Sequence, residues 1–75
     1  MEYERKTTEI VVKPKDEQVF SINATTIRIE DEAAGEFITL TQSSDEGENI
    51  VAVEKEDWAL IRGVVDEMMK TVEAG

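Results

Sequence analysis

The sequence contains neither cysteine nor histidine. Those two absences exclude a disulfide framework, a Cys/His zinc centre and the imidazole base of a nucleophilic triad. Proline occurs once, and Gly35, Gly47, Gly63 and Gly75 do not cluster, so there is no glycine loop to cradle a phosphate. No apolar run approaches the ~20 residues of a membrane span, and Met1 to Thr8 is charged where a signal peptide would be apolar. These omissions lead us to expect a cytoplasmic, non-enzymatic chain with no cofactor, no bound metal and no membrane partner. The acidic stretch Asp45-Glu46-Gly47-Glu48-Asn49 is no exception. It lacks the alternating ligand spacing and the distal glutamate of a calcium loop.

What is abundant is negative charge, and it is unevenly placed. The net charge is −10, yet Met1 to Ile29 holds five acidic and five basic residues. Glu30 to Asp57 holds ten acidic residues against Lys55 alone. Such a surface keeps a small protein soluble by self-repulsion, and it can also imitate a phosphate backbone for a basic partner.

Along the chain, residues 1–18 read as an N-terminal arm or edge strand and 19–75 as one sheet-plus-helix domain. Ile10-Val11-Val12 is a β-branched run stopped by Lys13-Pro14, which suits an edge strand because proline cannot donate to a ladder. Val19 to Ile22 is a second apolar patch. Thr26 to Asp31 alternates, with Ile27 and Ile29 on one face and Arg28 and Glu30 on the other. Ala33, Ala34 and Gly35 supply a tight connection into a strand over Phe37 to Thr41, so Thr26 to Gln42 is a hairpin. Ser43 to Asn49 reads as a polar loop and Ile50 to Glu54 as a further strand.

From Lys55 the apolar period changes from two to 3.6. Trp58, Ile61, Val65, Met68 and Val72 step by three or four, and Leu60, Val64 and Met69 widen the stripe. The fold class is therefore α+β: a small antiparallel sheet of three to four strands followed by one C-terminal amphipathic helix. The stripe predicts a core-facing helix with Trp58 in the core. Three or four strands spaced about 4.8 Å apart are wider than one helix of about 10 Å diameter can cover. A chain of 75 residues also has little core of its own, so a homodimer is expected, with surplus apolar surface near Leu60, Met68 and Met69 buried between copies.

The order hairpin, polar loop, strand and then a helix opening on Glu56-Asp57-Trp58 resembles the positive-cofactor-four family. The similarity runs from Val19 to Lys70, through Ile27-Arg28-Ile29-Glu30-Asp31, Ile38-Thr39-Leu40, Glu46-Gly47-Glu48, Val51-Ala52-Val53, Ile61, Arg62, Val65 and Met68. Small phage-encoded proteins look similar over the same stretch, which would place the chain in a host cytoplasm. The resemblance implies a homodimeric, transcriptional-coactivator-type binder of single-stranded DNA in replication, recombination or transcription. Arg28, Phe37, Thr39 and Thr41 would line the groove, with Lys13 and Lys15 from the arm. Where the family carries basic and aromatic residues, this chain has Glu30-Asp31-Glu32 and Thr41-Gln42-Ser43-Ser44. A second reading follows from that exchange. Glu30, Asp31, Glu32, Glu36, Asp45, Glu46 and Glu48 would form an acidic protein-interaction surface, a nucleic-acid mimic or phage accessory inhibitor that meets a basic protein and binds no DNA.

Overall fold

The computed structural model describes residues 1–33 and 35–75. The connection expected over Ala33, Ala34 and Gly35 thus falls partly outside the described residues, at Ala34. Four strands, β1 (Glu9–Val12), β2 (Thr25–Glu32), β3 (Gly35–Ser44) and β4 (Gly47–Val53), precede one helix, α1 (Lys55–Ala74). They form an antiparallel meander in the order β1-β2-β3-β4. This is the α+β layout read from the sequence, with the strand count at its upper value.

Register sorts the side chains between two faces. Ile27 opposes Ile10 on one side and Leu40 on the other, and Leu40 in turn opposes Val51. Ile29, Ile38 and Val53 form the neighbouring row. With a side-chain period of two, these residues make one apolar face. The other face carries Val11, Thr26, Arg28, Glu30, Phe37, Thr39, Thr41 and Ala52.

One expected loop is absent. The polar composition of Ser43 to Asn49 predicts a loop, but pairing continues to Ser44↔Gly47, leaving Asp45 and Glu46 as a two-residue turn. Gly47 accepts the required backbone with φ of 122°, a region that costs side-chain-bearing residues free energy. The Ser44 hydroxyl closes the turn by donating to the Gly47 carbonyl at 3.0 Å and accepting from the Glu46 N–H at 3.3 Å. Composition pointed to a loop; cross-strand pairing prevailed.

The helix forms where its period announced it, but it does not face a core within the chain. No residue of α1 is buried, and Trp58 is 47% exposed. From its first three turns, Trp58, Ile61 and Val65 stand across an open cleft of about 430 Å³ from Leu40, Val51 and Val53. The reason lies in the connection, since Glu54 alone separates the end of β4 from the start of α1. One residue leaves the chain little freedom in the angle at which the helix leaves the sheet. Ala24 and Val53 are the buried apolar residues among those described, and no described side chain is fully buried.

Candidate functional site

The polar face of the sheet holds the residues that the sequence singled out for ligand contact. Arg28 lies directly opposite Thr39, Thr26 opposite Thr41, and Glu30 opposite Phe37. Four candidate contact residues, Arg28, Phe37, Thr39 and Thr41, therefore share one face on neighbouring strands. Lys13 and Lys15 are elsewhere, in the exposed connection after β1.

Sharing a face is not the same as being free to bind. Arg28 is ion-paired through its Nε to the Glu9 carboxylate, its partner in the β1–β2 register. That hydrogen bond, and then the charge of Glu9, raises the Arg28 pKa further and holds the guanidinium charged. Thr39 and Thr41 are each 8% exposed, and the Thr39 hydroxyl donates to Glu30 at 3.5 Å. Lys6 reaches across to Glu36 at 3.0 Å and occupies one carboxylate near the hairpin tip. Among the described residues, the strands place Glu9, Glu30, Glu32 and Glu48 on the polar face with Arg28 as their one cation. Its electrostatic sign is negative.

Of the acidic candidates, Glu30, Glu32 and Glu48 lie on this face, Asp31 and Glu36 alternate to the other at the hairpin end, and Asp45 and Glu46 occupy the β3–β4 turn. They form separate clusters along the sheet. Among the described residues no group of acidic side chains is arranged to hold a metal ion.

In the connection between β1 and β2 the sequence reading gives a role to Lys13 and Lys15 but none to residues 17–24. That segment turns back over the polar face, where Val19, Phe20, Ser21 and Ala24 meet strand residues around a pocket of about 240 Å³. Backbone hydrogen bonds from Ser21 N–H to Gln18 and from Ala24 N–H to Ser21, both 3.0 Å, fold it. Glu17 braces it by accepting from the Ser21 hydroxyl at 2.5 Å and from the Asn23 amide. An apolar patch that is not a strand, Val19 to Ile22, was the available signal. Among the described residues no helix is long and apolar enough to cross a membrane. No family model, curated protein or solved structure matches the chain.

Proposed function

We propose that the chain is a non-enzymatic binding protein that works as a homodimer in the cytoplasm and offers its anionic polar face to a basic protein surface. The observation that carries the choice of ligand is the pairing of Arg28 with Glu9, which leaves the polar face with carboxylates in excess. A groove that neutralises phosphates needs cations to spare. Charge complementarity instead favours a basic partner and steers it at long range.

The homodimer rests on exposed area. A compact monomer of 8.4 kDa has about 4,600 Å² of accessible surface by the usual scaling, against 6948 Å² for this chain. The radius of gyration is 15.4 Å, where about 11 Å is normal for this length. The surplus of about 2,300 Å² per chain, about 4,600 Å² over two copies, falls in the range that an obligate interface buries in total. Its chemistry is apolar: Val12, Val51, Leu60, Met68, Met69 and Val72 are each more than half exposed.

Single-stranded DNA binding of the coactivator type is the second reading, favoured by the gathering of Arg28, Phe37, Thr39 and Thr41 on one face. Sedimentation equilibrium at micromolar concentration is expected to give twice 8.4 kDa, and a monodisperse monomer would exclude the homodimer. Titrating a labelled single-stranded oligonucleotide and a basic polypeptide at low and moderate salt separates the ligands. Salt-sensitive binding of the polypeptide alone is the expected result; tight oligonucleotide binding would replace it with the second reading.

A further inference from the structure

The pocket on the polar face has a composition that selects a ligand more narrowly than net charge does. Its volume, about 240 Å³, suits one side chain rather than an extended surface. Phe20 lines it while remaining 74% exposed, an aromatic ring left in solvent beside the sheet. Val11 contributes apolar wall, and Thr41 and Ser43 contribute hydroxyls. Glu9 and Glu48 are the lining carboxylates and Arg28 is the lining cation. Since Arg28 is paired with Glu9, and Glu48 has no ion-pair partner among the described residues, the pocket keeps one negative charge.

An exposed ring lining the same pocket as a carboxylate that makes no ion pair among the described residues is a receptor for a cation with a flat face. The geometry points to an arginine side chain of the basic partner as the occupant, its guanidinium stacked on Phe20 and hydrogen-bonded to Glu48. This rests on the basic-protein reading above. Arginine is preferred to lysine because the guanidinium is planar, weakly hydrated and able to stack while donating in its own plane. A nucleobase would fit the volume, but its phosphate would enter a pocket and a chain that are both anionic.

The test uses hexa-arginine, hexa-lysine and N-acetyl-arginine amide as probes, followed by amide and side-chain NMR shifts and by anisotropy of labelled peptides. Hexa-arginine is expected to bind more tightly than hexa-lysine and to shift Phe20, Glu48 and Ser43. Phe20→Ala should weaken hexa-arginine by about 2- to 30-fold, the range of a cation–π contact. Glu48→Gln should weaken it as well. Both residues lie at the surface, so both variants should melt like the parent. If hexa-arginine binds the parent and both variants equally, the basic-protein reading stands and the pocket assignment falls. If neither peptide binds but N-acetyl-arginine amide still shifts the pocket residues, the pocket stands and the macromolecular reading falls. No shift with any probe, or displacement of the shifts to the hairpin tip, overturns the assignment.

Discussion

At the scale of the residue, the structure ties single side chains to the segment that walls the pocket. Glu17 accepts the Ser21 hydroxyl and the Asn23 amide, and those hydrogen bonds, with Lys13 nearby, hold its carboxyl below the ordinary value of 4.5. A depressed carboxylate pKa means that the charged form is favoured in the folded chain. Its contribution is therefore complete above the unfolded value and disappears as pH falls through the lower, folded one. A carbon NMR titration should place the Glu17 carboxyl midpoint below 4.5, and Ser21→Ala should move it back upward. A midpoint at or above 4.5 in the parent would show that the brace is not formed in solution.

At the scale of the element, the helix is the part whose stability the single chain does not explain. Twenty residues without tertiary packing are marginal in water, and Gly63 in the interior costs about 0.5 to 1 kcal/mol relative to alanine. The first turn is favourable, with Glu56 and Asp57 at the positive end of the dipole, but the last turn has no basic residue. In the proposed homodimer, helicity should therefore depend on the second copy. On dilution, circular dichroism at the helix minimum and the dimer fraction should fall together, and Met68→Glu should weaken the dimer by about 2 kcal/mol per copy, the value of burying one such side chain. Helicity unchanged through dissociation would show that α1 is independent of the interface. Much of this element was legible in the sequence, because a 3.6-residue period over Trp58 to Val72 is a local property. The same holds for β2 and β3, where Ile27, Ile29, Ile38 and Leu40 alternate. What faces the stripe was not legible: that depends on the one-residue link at Glu54, which a periodicity does not register. The extent of the β3–β4 turn was not legible for a related reason, since Ser43, Ser44 and Glu48 are polar whether they pair or not. Among the site residues, the common face of Arg28, Phe37, Thr39 and Thr41 followed from alternation, whereas the Glu9–Arg28 pair required the β1–β2 register and Phe20 required the path of a non-repetitive segment.

At the scale of the whole molecule, the decisive quantity is the net charge of −10, which would be about −20 in the proposed dimer. Two effects of salt oppose each other. Screening weakens the exposed ion pairs Lys6–Glu36, Arg28–Glu9 and Arg62–Asp66, and it also relieves repulsion among the unpaired carboxylates. The pairs are few and solvent-exposed, a setting in which ion pairs contribute little. The repulsion is collective: the ten carboxylates between Glu30 and Asp57 face only Lys55 within that segment. At 0.01 M salt the Debye length is about 30 Å, and at 0.15 M it is about 8 Å. The molecule is 56 by 32 by 23 Å, so at the lower salt carboxylates sense one another across both shorter axes and over about half the long one. Repulsion therefore outweighs pairing, and the melting temperature should rise between about 0.01 and 0.15 M sodium chloride at fixed protein concentration. Protein concentration must be held constant because dimer melting depends on it. Asp45→Asn with Glu46→Gln removes two charges from an exposed turn and should flatten the rise, separating charge screening from any general effect of salt on apolar burial. A melting temperature that falls with salt would mean instead that the ion pairs at Arg28 and Lys6 outweigh the repulsion, and that the anionic face is less exposed in the dimer than in the single chain.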